Sequence, residues 1–396
     1  MMKKISFLLF SALFSLNSFG QQALGQRPSV KSPDLNAAGF ATFNYFNPSA
    51  KEVSMTLFSR DMISFAMTPQ GGGLWSFTSN KLDPELYLYS FTVDGQRTLD
   101  PSNAYVSRDI STLSNYFIVS YERGDRGWLY QANKVPHGRV EKVWYDSPQL
   151  GMERRMTVYL PAGYDGKRRF PVLYLLHGHG GDEQAWPELG RAAQIMDNLI
   201  ALGKAEPMIV VMPNGNPNLP AAPGEWDAGL YTPDGNAFQE IKAVKSFPES
   251  FMDIVNYVDA NYKTVKKRSG RAVCGLSMGG GHTHDIALRY PLTFDYYGLF
   301  SAAPRVNGQF ALQGFYNHAV SSTDYQEKAQ TLFNSRPALY WIGIGKDDFL
   351  YQANKDLRQF LDEKGYKYEY HESLGGHVWA NWRIYLTIFA QKLFKK

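Results

Sequence analysis

The stretch Gly275-Leu276-Ser277-Met278-Gly279 constrains this chain more than any other. It follows a strand-like run, 271–274, and precedes a helix expected over 282–290, with four glycines and one serine between them. A turn this sharp forces the serine into a strained backbone conformation, and the flanking glycines let helix and strand approach closely. The hydroxyl then projects clear of the sheet. It also lies near a helix N-terminus, where amide hydrogens and the helix dipole favour developing negative charge. A Gly/Ser-rich turn with no chemistry looks the same in isolation, so the rest of the chain has to decide.

Around this turn, strands alternate with helices. Runs at 140–145 and 156–160 read as strands, and 172–176, 208–212, 272–275 and 339–344 are short, nearly continuous apolar runs. Helical patterns fall at 192–202, 251–262, 282–290 and 352–364, with a last helix over 382–394. Such alternation predicts a mostly parallel sheet covered by helices on both faces.

The earlier part of the chain differs. Val53 to Leu57 alternates apolar and polar residues, Tyr87, Tyr89, Phe91 and Val93 lie two apart on one strand face, and Asp94-Gly95 is a hairpin signal. These features predict an all-β sandwich over 28–125, a linker over 126–137 and the α/β domain over 138–396. Residues 1–20 combine Lys3-Lys4, the apolar run 5–16 and small residues before Gln21, the pattern of a signal peptide; an exported chain with no membrane anchor is expected. The single cysteine, Cys274, forms no internal disulfide and is expected as a buried, inert thiol.

Charge excludes one class of partner. Lys and Arg number 41 against 37 Asp and Glu, the net charge is +4, and dense basic runs such as Lys266-Lys267-Arg268 are only three residues long. No phosphate-tracking stripe appears, so nucleic acid is not expected as a partner. The aromatic content of 15% fits either a surface that meets sugars and aromatic groups or aromatic-rich β-structure.

A serine hydroxyl is a poor nucleophile without a base, and the base needs an orienting acid. On such a turn, acid and base follow in the order Ser, acid, His. The strand at 339–344 leads into Asp347 and Asp348; a further strand at 366–371 leads into Gly375-Gly376-His377. Ser277, Asp348 and His377 are therefore the candidate catalytic residues, with Asp347 competing for the acid. His282 and His284 precede the acid, and His371 lies within a strand, so His377 is preferred as base.

Acyl transfer also needs preset donors for the oxyanion. The backbone N–H groups of Met278, just after the serine, and of His179, in Leu176-His177-Gly178-His179-Gly180, are the candidates. His177 and His179 also read as a zinc pair, but no third ligand with suitable spacing stands out, so no metal and no cofactor are expected. The irregular stretch 213–236 reads as a lid, and Trp226, Tyr231 and Trp379 are candidate substrate contacts.

The segments "LLHGHGGDEQAW", "GLSMGGGHT", "GIGKDDFLY" and "GGHVWANWR" resemble, in order, four motif blocks of the esterase D-like α/β-hydrolases, most closely carbohydrate esterase family 1. The resemblance covers 138–396 and implies an α/β-hydrolase fold with Ser277, Asp348 and His377 as nucleophile, acid and base, Asp348 closing the Gly345-Lys346-Asp347-Asp348 stretch. "LWSFTSNKLDPELYLYSFTVDG" and "LDPSNAY" are similar to the immunoglobulin-like CBM48 domains that precede such esterases. The resemblance implies a secreted serine esterase acting on feruloyl esters of plant cell-wall xylan. The alternatives are an acetyl xylan esterase, an enterobactin-type siderophore esterase and a non-catalytic glycan-binding protein.

Overall fold

A computed structural model describes residues 30–226 and 245–395, so the expected signal peptide and Tyr231 lie outside the described residues. Eight strands of the described chain form one sheet: β1 (Arg139–Ser147), β2 (Met152–Leu160), β3 (Val172–Leu176), β4 (Ile209–Pro213), β5 (Arg271–Leu276), β6 (Tyr296–Phe300), β7 (Leu339–Gly345) and β8 (Glu369–Ser373). Their order is β1-β2-β4-β3-β5-β6-β7-β8. The β1–β2 and β2–β4 pairs are antiparallel and the others parallel.

Strand pleating divides the core in two. Val172, Tyr174 and Leu176 of β3 face one apolar cluster; Leu173 and Leu175 face the other. Helices α2 (Phe247–Asn261), α3 (Met278–Arg289) and α4 (Tyr351–Glu363) cover the first face. Helices α1 (Ala192–Ala201) and α5 (Trp379–Ala390) cover the second, beside buried Cys274. Burial pushes the Cys274 thiol well above its ordinary pKa, as suits an unreactive core residue. Helix α2 opens on a capping box, with the Glu249 carboxylate accepting from the Ser246 N–H at 2.8 Å.

The structure departs from the sequence expectation at β6 and at the start of α3. Strand β6 was not expected, because Gly298 interrupts its apolar run. A Cβ there would stand 2.7 Å from Cys274 Cβ and 2.9 Å from the Phe389 ring, so the glycine is where α5 packs down on the sheet. Helix α3 starts at Met278 rather than 282, so three glycines expected before the helix form its first turns.

Residues 34–119 form two antiparallel sheets. Phe43 of one and Met55, Tyr89, Phe91 and Phe117 of the other share an apolar cluster. Aromatic rings dominate it: Phe43 meets Tyr89 and Phe117 edge-on at 5.0 and 5.6 Å. Strand Glu85–Val93 is buried over its first seven residues because it serves two cores. Tyr87, Tyr89 and Phe91 face the β cluster, while Leu86 and Leu88 join the cluster beneath α1 and α5.

Arg383 of α5 reinforces that junction, donating to Glu85 Oε1 at 3.1 Å, Leu86 O at 3.3 Å and Leu189 O at 3.0 Å. The stretch 126–137, expected as a linker, is itself packed. Its helix Arg126–Tyr130 buries Leu129 and Tyr130 in the same cluster, and Asn198 Nδ2 donates to the carbonyls of Leu129 and Gln131.

Candidate active site

Ser277 sits between β5 and α3 with φ 54° and ψ −115°, a conformation that costs a non-glycine residue roughly 1–3 kcal/mol. Its surroundings hold it there. The Ser277 N–H donates to Phe300 O at 2.8 Å, and its carbonyl accepts from Gly281 and Ala303, each at 3.0 Å. Glycine is required on both sides by close approach. A Cβ on Gly275 would lie 2.6 Å from the Gly279 carbonyl carbon, and one on Gly279 would lie 2.5 Å from His177 O.

The chain after β7 turns at once. Asp348 N–H donates to Gly345 O at 3.2 Å, and Asp348 Oδ1 accepts from the Leu350 N–H at 2.9 Å. This turn buries Asp348 and leaves Asp347 exposed. His377, on the loop between β8 and α5, brings Nδ1 to Asp348 Oδ1 at 3.0 Å and Oδ2 at 2.9 Å. A proton on Nδ1 directed at this carboxylate leaves Nε2 free to accept one. The His377 ring is flanked by Phe349, tilted against it at 4.5 Å between centroids, and by Trp382, perpendicular to it at 4.9 Å.

Ser277 and His377 line one cavity of about 310 Å³, with no direct hydrogen bond between them. Contacts of this kind commonly tighten only when substrate is bound. Gly178 and His179 border the same cavity, and a Cβ built on Gly178 would stand 3.3 Å from Ser277 Cβ. The loop after β3 thus passes directly beside the serine. Met278 is the first residue of α3, where backbone N–H groups have no partner within the helix. Leu276, Phe349, Trp379 and Trp382 supply apolar walls.

His177, His282, His284 and His371 are held elsewhere. His177 Nδ1 lies 2.7 Å from Gly178 O, and its Nε2 accepts from the Gly215 N–H at 2.7 Å. Both ring nitrogens are thus engaged by backbone, which ties the loops after β3 and β4 together; burial lowers its pKa. His179, two residues on, is exposed. His282 is buried against Phe247. His284 lies between the Tyr340 and Tyr325 hydroxyls at 2.7 and 3.0 Å, and burial lowers its pKa to about 4. His371 stacks on Trp341.

Of the three aromatic residues expected at the substrate, Trp379 lines the cavity, Trp226 is not among its lining residues, and Tyr231 lies outside the described residues. Sequence reasoning missed Phe349 and Trp382, although both flank motif residues it had singled out. It also missed Arg108, Asp109 and Ile110, which reach the cavity from the N-terminal sheets. No local signal marks those three, because only the docking of the two regions brings them there. No helix among the described residues is long and apolar enough to cross a membrane.

The Esterase family model matches residues 147–391. The endo-1,4-beta-xylanase/feruloyl esterase of Xylanibacter ruminicola is 30% identical over 385 residues, covering 93% of this chain and 47% of that protein. The chain spans about half the length of the curated relatives it matches. A ferulic acid esterase structure from Anaeromyces mucronatus is similar with a TM-score of 0.53 at 24% identity, covering 67% of this chain and 94% of the other. The enterobactin esterase of Shigella flexneri is similar with a TM-score of 0.61 at 15% identity, covering 89% and 92%. At these identities the two structural likenesses concern the fold, an α/β-hydrolase sheet.

Proposed function

The chain belongs to the Esterase family and is a carboxylic ester hydrolase, and within that activity we propose that Ser277, His377 and Asp348 carry the reaction on feruloyl esters of plant cell-wall xylan. Ser277 Oγ attacks the ester carbonyl carbon while His377 Nε2 takes its proton. The C–O bond to the alcohol then breaks, and His377 returns the proton to the leaving oxygen. Water, activated by the same nitrogen, attacks the acyl-enzyme and releases the acid. Asp348 holds His377 in the tautomer with the proton on Nδ1 and stabilises its charged form. The backbone N–H groups of Met278 and His179 receive the oxyanion.

The observation that carries this reading is the Asp348–His377 contact at 2.9 Å, opening on the cavity that the strained Ser277 also lines. The substrate class is supported by the apolar walls of that cavity, which suit an aromatic acyl group better than acetyl, and by the name of the Xylanibacter ruminicola relative. The two β-sheets of residues 34–119 support an immunoglobulin-like, CBM48-related domain preceding the hydrolase domain. Export after removal of residues 1–20 completes the reading.

The test compares hydrolysis of methyl ferulate and of acetylated xylan, with the Ser277→Ala protein as blank. Preference for ferulate supports the proposal. Preference for acetate assigns an acetyl xylan esterase instead, and activity that survives Ser277→Ala overturns the mechanism.

A further inference from the structure

The hairpin formed by strands Val106–Asp109 and Thr112–Val119 belongs to the N-terminal sheets, yet its turn reaches the cavity of Ser277. Two contacts pin it to two elements of the hydrolase domain. Arg108 donates to Asp182 Oδ2 at 2.5 Å, on the loop that follows β3 and runs past the serine. Asp109 Oδ1 accepts from Trp379 Nε1 at 3.2 Å, two residues beyond His377. The turn therefore bridges the oxyanion-side loop and the base-side helix.

Ile110 follows these two anchors. Its side chain rests on Gly180, where an added Cβ would come within 3.0 Å of Ile110 Cγ2. Gly178, two residues before Gly180, abuts Ser277. Two residues of chain span at most roughly 7 Å, and Ile110 lines the same cavity as Ser277, so it stands where an extended acyl group on Ser277 can meet it. Asp109 and Ile110 also line a second cavity, of about 490 Å³, so the turn borders both. The residue is half in solvent, at 39% exposure, and holds φ 54°, a conformation uncommon for a β-branched side chain.

We propose that Ile110, supplied by the N-terminal region, is a specificity-determining residue of the esterase: it is the apolar wall against which an acyl group larger than acetyl packs. The proposal rests on the assignment of Ser277 as nucleophile. It makes the N-terminal sheets part of the active site and not only a neighbour of it.

The test is the full-length Ile110→Gly protein. Glycine is at ease at this positive φ, so the turn keeps its backbone. The rates to compare are kcat/KM for p-nitrophenyl acetate, p-nitrophenyl butyrate and methyl ferulate. Losing apolar contact with the acyl group lowers the butyrate-to-acetate and ferulate-to-acetate ratios by about tenfold, most of it through KM. Ratios that are unchanged or raised overturn the proposal while leaving ester hydrolysis intact. A wild-type protein inactive on all three esters, matching Ser277→Ala, overturns the catalytic reading and this proposal with it. A merely structural role for Ile110 predicts equal losses on all three substrates.

Discussion

Asp348 presents both carboxylate oxygens to one nitrogen of His377, at 3.0 and 2.9 Å, while Asp347 beside it is turned out to solvent. The two aspartates should therefore separate cleanly on mutation. Asp348→Asn keeps the shape but favours the wrong His377 tautomer, and should lower kcat on p-nitrophenyl acetate by on the order of 10⁴-fold. Asp347→Asn, an exposed change, should stay within about twofold. Equal losses for the two variants would remove Asp348 from the mechanism.

Gly279 has no room for a methyl group. A Cβ there would stand 2.5 Å from His177 O and 2.7 Å from Leu176 O, both backbone atoms that cannot swing aside. Gly279→Ala should cost about 1–3 kcal/mol by overpacking. In a thermal melt, a domain of this size should lose about 2–4 °C for each kcal/mol. Turnover should fall as well, because the displaced helix start carries Ser277 with it. A variant with wild-type melting and activity would contradict the packing described here.

Arg383 and Glu85 form an ion pair between regions far apart in the chain, with side chains only 2% and 4% exposed. Arg383→Ala leaves Glu85 buried without its partner, and should lower stability by about 3–5 kcal/mol in a denaturant titration. The double change Arg383→Leu with Glu85→Leu should recover most of the loss, because no buried charge is then left alone. If the double variant is less stable than Arg383→Ala, the pair contributes in some other way.

Glu183 offers a pH test. Burial first, and the neighbouring Asp182 second, raise its carboxyl to about 7 from 4.5. The unfolded chain releases this proton above 4.5 while the folded chain keeps it up to about 7, so stability falls as pH rises through that window. His284, lowered by burial to about 4 from 6.5, works in the opposite direction over nearly the same range, losing stability as pH falls. The wild-type profile therefore mixes the two. The difference between Glu183→Gln and wild type isolates the carboxyl, and should shift in favour of the variant from pH 4.5 to 7. A pH-independent difference would mean that Glu183 is ionised throughout.

Local pattern was most readable where the periodicity was strong. The buried strands β3, β4, β5 and β7 are short apolar runs and stand where the runs are. The boundaries of α3 and α5 were misplaced by three or four residues, because Gly279 to Gly281 and Trp379 break the expected helical composition for reasons of packing. Strand β6 was missed for a similar reason, since its glycine answers to Phe389 of α5, distant in sequence.

The sequence by itself determined the turn that strains Ser277, the order of serine, acid and histidine along the chain, and the alternation of strands and helices beneath them. These are short-range properties, written in glycine spacing and hydrophobic period. Tertiary structure decided which aspartate meets His377, why His177, His282 and His284 are held by other partners, and that Arg108, Asp109 and Ile110 enter the cavity from the N-terminal sheets. Each of those outcomes depends on which surfaces are buried against each other. Burial is set by the docking of segments as much as 298 residues apart, as in the Arg383–Glu85 pair, and no local pattern encodes it.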